Sequence, residues 1–150
     1  MATLYEWCMK VITQLIIVYV FGSVIPPVSA ADFVGSARGT VDRVIDGDTV
    51  KMRVAIWLDQ EVLISVRVAK IDAPELFRPK CEAERQLARQ AKAFAETFLT
   101  DGKADLRDIE RGKYAGRVVA RIEVGGLDLG NAMVDAGFAY EGKKGDWCSG

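Results

Sequence analysis

Histidine is absent from this chain of 150 residues, and cysteine occurs only three times. Without histidine the chain lacks the commonest general base and the commonest ligand of transition metals, and with so few cysteines a zinc cluster is not expected. An excess of charge is also absent, because 20 basic residues face 21 acidic ones and the formal net charge is −1. General attraction to nucleic acid is therefore not expected, and such a partner would need a local basic patch.

Composition is otherwise that of an ordinary globular domain. Half of the residues are hydrophobic and 27% are charged, which fits one folded domain rather than a disordered or collagen-like chain. Any chemistry must then depend on carboxylates, on arginines and on a hard cation that prefers oxygen ligands.

The first thirty residues have the pattern of a signal peptide. An apolar run over residues 11–25 is followed by two prolines and then by small residues up to Ala30. These fifteen residues are fewer than the roughly 20 that a membrane-spanning helix needs. We therefore expect a secreted or periplasmic protein cleaved after Ala30, with one domain over residues 31–150. The alternative is a membrane anchor formed by residues 11–25.

Removal of residues 1–30 would leave two cysteines, Cys81 and Cys148. In an exported protein such a pair most often forms a disulfide bond. The alternative is two independent buried thiols. The predicted export and the predicted bond support each other.

Strand-like runs dominate the first half of this domain. Two β-rich runs surround Asp46-Gly47-Asp48, and Asp-Gly between such runs indicates a tight turn. A third run follows, and its alternation places four residues on one face: Val62, Ile64, Val66 and Val68.

Helical spacing then replaces alternation over residues 79–99. The apolar residues at this spacing are Ala83, Leu87, Ala91, Phe94 and Phe98. Two further β runs, 103–110 and 117–124, precede a short helix at about 129–136, and the tail shows no periodicity. The order predicts an α+β fold that is mainly β, namely a five-stranded Greek-key barrel of OB type with a helix between strands 3 and 4 and a short C-terminal helix. The tail is expected to lie over the surface, held by Cys148.

Three charged clusters interrupt this pattern: "IDGDTV" at residues 45–50, "KIDAPE" at 70–75 and "KYAGR" at 113–117. Each one alone is better explained as a polar turn or loop. Together they offer Asp48 and Asp72 as ligands for Ca²⁺, which prefers six to eight oxygens. Arg67 and Arg117 would hold a phosphate, and Glu75 would position or deprotonate a water. Such chemistry needs no histidine.

These clusters, together with "RVAKIDAPE" and "LDLGNAMVDAGFA", resemble the staphylococcal nuclease (thermonuclease) family in the family's own order, from about Gly39 to Ala139. The resemblance implies an OB-fold enzyme that uses Ca²⁺ to cleave DNA and RNA and leaves 3′-phosphates. It also implies the site residues: metal ligands Asp48, Asp72 and the carbonyl of Ala73, catalytic Arg67, Glu75 and Arg117, and substrate-binding Lys113 and Tyr114.

The chain departs from the family in two places. The turn Tyr114-Ala115-Gly116-Arg117 is one residue longer than the family's Tyr-Gly-Arg form, and the family's C-terminal helix is missing or vestigial. A bond between Cys81 and Cys148 would replace the anchoring role of that helix.

Two other classes of protein remain open from the sequence. One is a non-catalytic OB-fold module that binds nucleic acid or protein, which would not need all five charged residues together. The other is a secreted structural domain held by a disulfide, which explains the cysteines but not the clustered charge. For the nuclease we expect DNA and RNA as substrates, a monomer without a stable protein partner, and contact with a membrane only if the N-terminal segment is retained.

Overall fold

The structure is a computed structural model that describes residues 35–142 and 145–149. The predicted signal peptide, its cleavage site after Ala30 and the alternative anchor lie outside the described residues. Within the described ranges, no helix is long and apolar enough to cross a membrane.

The described residues form eight strands and two helices, with one helix after the fourth strand and the other after the seventh. The elements are β1 (Ala37–Asp46), β2 (Thr49–Trp57), β3 (Gln60–Val68), β4 (Ile71–Asp72), α1 (Glu82–Phe98), β5 (Lys103–Arg111), β6 (Arg117–Val124), β7 (Leu127–Asp128), α2 (Leu129–Asp135) and β8 (Tyr140–Glu141).

Five long strands close into a barrel. Antiparallel pairing links β1 with β2 and β5, β2 with β3, and β5 with β6. A parallel pairing of β3 with β6, in which Val66 lies opposite Val118, closes the ring. The helix α1 lies between the third and fourth barrel strands, so the predicted OB-type α+β fold is confirmed.

The barrel interior is filled by the alternate side chains of these strands. Met52, Leu106 and Ile122 are fully buried, as are Val66 and Val68 on the predicted apolar face of β3. Burying such a side chain contributes about 1.5–3 kcal/mol relative to leaving it exposed. The period of two therefore fixes which side of each strand remains available for charged residues.

Helix α1 packs on the barrel through a face of small residues. Ala88, Ala91 and Ala95 are buried, and they let the helix axis lie close to the strands. The prediction placed Ala83 on this face, but Ala83 is exposed. That prediction was wrong because the buried position in the first turn belongs to Glu84, an acidic residue that apolar periodicity does not detect.

The chain after α2 is held by a two-stranded sheet separate from the barrel and by the predicted disulfide bond. Strand β8 pairs with β4, with Tyr140 opposite Asp72. Further along, Cys148 forms a disulfide bond with Cys81, the residue immediately before α1. The chain after α2 is thus attached at two points, through β8 to Asp72 and through Cys148 to Cys81.

Candidate active site

The turn between β1 and β2 places Asp48 beside the end of β3. Gly47 lies so close to the two helices that an added Cβ would come within 2.9 Å of the Ala91 Cβ and 3.1 Å of the Met133 Cε. The carbonyl of Asp48 accepts a hydrogen bond from the Val68 N–H at 2.8 Å. Because the turn packs under the helices, Asp48 is almost fully buried.

The Asp48 carboxylate is the centre of a hydrogen-bonded cluster. Its Oδ1 accepts from Thr49 Oγ1 and from Arg67 Nη1, both at 3.0 Å. Its Oδ2 lies 2.8 Å from Arg67 Nη2 and accepts from the Ala73 N–H at 3.3 Å. Arg67 therefore binds Asp48 in the two-pronged geometry that suits a guanidinium and a carboxylate.

Asp72 adds a second carboxylate to this cluster. Its Oδ1 lies 3.6 Å from Arg67 Nη2, and its Oδ2 accepts a hydrogen bond from the Gly145 N–H at 3.2 Å. Pro74 follows Ala73 and favours an extended conformation there, so the chain leaves β4 with the Ala73 N–H directed at Asp48. Strand β4 ends at Asp72, and the Ala73 N–H that follows it takes part in the cluster.

Electrostatics at Asp48 reflect both burial and a third carboxylate. Loss of water contact and the charge of Asp46 raise the pKa of Asp48, whereas Arg67 and the hydrogen bonds lower it, and the net result is a pKa raised to about 6. Asp46 lies two residues away, and its Oδ1 is buried without a hydrogen-bond partner in the described structure. The Arg67 guanidinium thus contacts two carboxylates, those of Asp48 and Asp72, and a third, that of Asp46, lies close enough to Asp48 to affect its pKa.

This excess of negative charge fits a divalent cation. Carboxylates of Asp46, Asp48 and Asp72 against the single charge of Arg67 leave two negative charges uncompensated, and a buried carboxylate oxygen without a partner is costly. All available donors are oxygens, which suits Ca²⁺. Asp48, Asp72 and the Ala73 carbonyl are therefore suitable ligands, with Asp46 next to them.

Glu75 lies on a loop that a buried residue of α1 holds in place. The carboxylate of Glu84 accepts the backbone N–H of Glu75 at 3.3 Å and the backbone N–H of Lys80. Glu84 is 3% exposed, whereas the Glu75 side chain is exposed. The loop over residues 75–80 is thus hydrogen-bonded to Glu84 at both ends, and the Glu75 carboxylate remains exposed to solvent.

Glu75 and Asp72 share a pocket of about 220 Å³. Acidic, basic and aromatic groups all line this pocket: Asp72, Ala73, Glu75, Arg78, Lys80, Glu84, Gly145 and Trp147. Two of the three predicted metal ligands, Asp72 and Ala73, are therefore next to the same solvent-accessible space as the predicted water-positioning carboxylate, whereas Asp48 does not line this pocket.

Arg117 lies on the neighbouring strand. It pairs with Ser65 on β3, and Arg67 pairs with Val119. Paired residues point to the same side of a sheet, so the two arginines share the outer side, about 7 Å apart along the strands. Among the described residues, no ion pair joins Arg117 to a carboxylate.

The turn before β6 gathers the predicted substrate-binding residues. The Arg117 N–H donates to the Tyr114 carbonyl at 3.2 Å, which closes a four-residue turn. Lys113 Nζ and Arg117 Cζ lie 5.6 Å and 6.0 Å from the centre of the Tyr114 ring. The longer turn thus places two cations beside one exposed aromatic ring.

Four residues of this region were not identified as site residues from the sequence. Asp46 was seen as part of a turn, and Glu84 as part of a helix. The Cys81-to-Glu84 spacing matches an N-cap and the third helical position, where a glutamate commonly accepts backbone N–H groups, so a signal for Glu84 existed. Gly145 and Trp147 belong to a tail without periodicity, and no local pattern indicated them.

The closed OB-type barrel, with a charged cluster where β3 and β4 end, places the protein in a fold class whose members include binders of oligonucleotides and of oligosaccharides. The sequence profile described as staphylococcal nuclease homologue matches residues 65–146, more than half of the chain, and the protein belongs to this family of nuclease type. The match includes Arg67, Asp72, Glu75 and Arg117, whereas Asp48 precedes it. No curated protein sequence matches the chain.

Proposed function

We propose that the protein is an exported, Ca²⁺-dependent nuclease that hydrolyses phosphodiester bonds of DNA and RNA and leaves 3′-phosphates. The observation that carries this proposal is the cluster of Asp48, Arg67 and Asp72 beside the pocket that Glu75 lines. Membership of a nuclease-type family supports nucleic acid as the substrate.

Asp48, Asp72 and the carbonyl of Ala73 would hold the Ca²⁺. When bound, Ca²⁺ supplies charge that neutralises a non-esterified phosphate oxygen and helps to orient the substrate. Asp48 is already held by Thr49 and by the Ala73 N–H, so its oxygens keep their positions while a cation or a phosphate approaches.

Arg67 and Arg117 would bind the non-esterified oxygens of the phosphate that is cleaved. Their guanidinium groups lie on the same side of neighbouring strands, and a guanidinium matches phosphate geometry. Attack of water adds negative charge to these oxygens, so fixed cations stabilise the transition state more than the ground state.

Glu75 would orient the attacking water and accept its proton. As water forms the new bond to phosphorus, the bond from phosphorus to O5′ breaks, and O5′ takes up a proton. The products are a 3′-phosphate and a 5′-hydroxyl. Lys113 and Tyr114 would hold the substrate next to this centre.

The test is cleavage of plasmid DNA and of a short RNA by the purified protein with Ca²⁺ and with EGTA. We expect cleavage only with Ca²⁺, and products that change mobility after phosphatase removes their 3′-phosphates. Asp48→Asn should abolish most of the Ca²⁺-dependent rate, and Asp59→Asn, at the β2–β3 turn, is the matched control. Binding without cleavage would instead indicate a non-catalytic OB-fold module.

Export is a separate part of the proposal. A signal peptide over residues 1–30 predicts that the mature protein begins at Ala31 and acts outside the cytoplasm. We also expect it to be a monomer. N-terminal sequencing and light scattering of the protein recovered from its producing cells test this. A mature protein that keeps residues 11–25 would indicate a membrane anchor.

A further inference from the structure

The C-terminal tail, defined here as residues 145–149, contacts the candidate site directly. The backbone N–H of Gly145 donates to Asp72 Oδ2 at 3.2 Å. Trp147 lines the same pocket as Asp72 and Glu75. These contacts come from a segment to which the functions above assign no role.

Tyr140 fixes the position of the tail from one side. Its backbone pairs with Asp72, and its ring centre lies 4.3 Å from that of Trp147. A Cβ added at Gly145 would overlap ring carbons of Tyr140. Only glycine therefore allows the backbone N–H at position 145 to approach Asp72 with the Tyr140 ring in place.

The disulfide bond fixes the tail from the other side. Cys148 is bonded to Cys81, whose Sγ accepts the Glu84 N–H at the start of α1 at 3.4 Å. Glu84 in turn accepts the backbone N–H of Glu75. The bond thus connects the tail to the helix turn that holds the loop of the predicted water-positioning residue.

We propose that the disulfide-anchored tail is a functional part of the active site, in which Gly145 is a positioning residue for Asp72 and Trp147 closes the pocket beside Glu75. The proposal rests on the proposed nuclease function. With the Gly145 N–H at Oδ2 and Arg67 at Oδ1, each oxygen of Asp72 has its own partner, so the carboxylate cannot rotate freely. Groups that orient a metal-ligating carboxylate typically change metal affinity or activity by about 10- to 100-fold when removed.

The proposal makes activity dependent on the bond between Cys81 and Cys148 beyond its effect on stability. Without the bond, the described contacts of Gly145 and Trp147 depend on the Tyr140 ring alone. Reduced protein that remains folded should therefore bind Ca²⁺ more weakly and cleave more slowly than oxidised protein, and reoxidation should restore both.

The experiment compares Gly145→Ala with Gly137→Ala in the full oxidised chain. Gly137 has a φ of 76° and open space around its Cβ position, so alanine strains the backbone there without meeting any other side chain. We would measure thermal unfolding by circular dichroism, Ca²⁺ affinity by calorimetry, and kcat and KM on a short oligonucleotide. Gly145→Ala should weaken Ca²⁺ binding and lower kcat by about 10- to 100-fold, whereas Gly137→Ala should lower stability and keep both.

Cys148→Ser removes the disulfide bond and should also weaken Ca²⁺ binding and lower kcat. Both quantities would be measured below the unfolding temperature of this variant. If the bond acts through Gly145, the double variant Gly145→Ala/Cys148→Ser should lose no more activity than the stronger single variant, because the two changes remove one interaction. Full additivity of the two losses would show that they act separately and would contradict the proposal.

The outcomes separate this proposal from the function on which it rests. A folded Gly145→Ala variant with wild-type Ca²⁺ affinity and kcat overturns the role of the tail, and so do equal losses in the two glycine variants. If the wild-type protein neither binds Ca²⁺ nor cleaves nucleic acid, the proposed function is wrong and the role of the tail fails with it.

Discussion

Arg67 contacts both carboxylate oxygens of Asp48, with Nη1 donating to Oδ1 at 3.0 Å and Nη2 lying 2.8 Å from Oδ2. Thr49 and the Ala73 N–H occupy one further position on each oxygen. Because a carboxylate has about four acceptor positions, Asp48 is saturated in this state. A cation at Asp48 therefore requires Arg67 to give up at least one contact, which frees guanidinium N–H groups for a phosphate.

Arg67→Ala should separate metal binding from turnover. Because Arg67 competes with a cation for Asp48 and repels it, its removal should leave the Ca²⁺ affinity of the free protein intact or increase it. The kcat should fall by about 10²- to 10³-fold, as for the loss of one transition-state donor. Calorimetry and oligonucleotide cleavage measure the two effects, and a variant with near wild-type kcat would show that Arg67 does not act on the substrate.

The free energy of unfolding provides an independent test of the Arg67–Asp48 pair. Without Arg67 the buried Asp48 lacks its charge partner, and we expect the free energy of unfolding to fall by roughly 3 kcal/mol without Ca²⁺. Saturating Ca²⁺ should recover most of this loss, because it binds only the folded protein. Arg53→Ala is the control, since its pairing with Asp42 is exposed and should contribute below about 1 kcal/mol.

Asp46→Asn tests whether the third carboxylate belongs to the cation site. Its buried Oδ1 lacks a partner in the described structure, and its charge raises the pKa of Asp48. Removing that charge should stabilise the protein without Ca²⁺ and weaken Ca²⁺ binding by about tenfold. Asp59→Asn, on the exposed β2–β3 turn, should change neither quantity. Unchanged Ca²⁺ affinity in Asp46→Asn would exclude Asp46 from the site.

Glu75→Gln and Glu84→Gln should affect different properties. Glu75 is exposed, so its amide variant should keep wild-type stability and lose about 10²- to 10⁴-fold in kcat. Glu84 is buried and accepts two backbone N–H groups, so its amide variant should lose about 1–3 kcal/mol of stability. Thermal unfolding and kcat, measured on both variants, distinguish these roles. A Glu75→Gln protein with full activity would remove Glu75 from catalysis.

The barrel was predictable because alternation in β3 and the turn at Asp46-Gly47-Asp48 are local signals. The grouping of Asp48, Arg67 and Asp72 was predicted from the combined chemistry of the charged clusters and from the family resemblance, since their separations in sequence carry no geometry. The contacts of Gly145 and Trp147 could not be predicted, because they depend on the pairing of β4 with β8 and on close packing against Tyr140. Ala83 was misplaced because Glu84 occupies the buried position for its hydrogen bonds, a role that hydrophobic spacing does not report.

Arg117→Ala and Lys113→Ala should separate transition-state stabilisation from substrate attraction. Arg117 lies on the same outer side as Arg67, so its removal should lower kcat by about 10²- to 10³-fold and change KM little. Lys113 is exposed in the turn beside Tyr114, so its removal should mainly raise KM, and less so at high salt. Arg111→Ala, an exposed arginine on β5, is the control for loss of one positive charge. If folded Arg117→Ala keeps near wild-type kcat and behaves like Arg111→Ala, the catalytic site does not extend to β6.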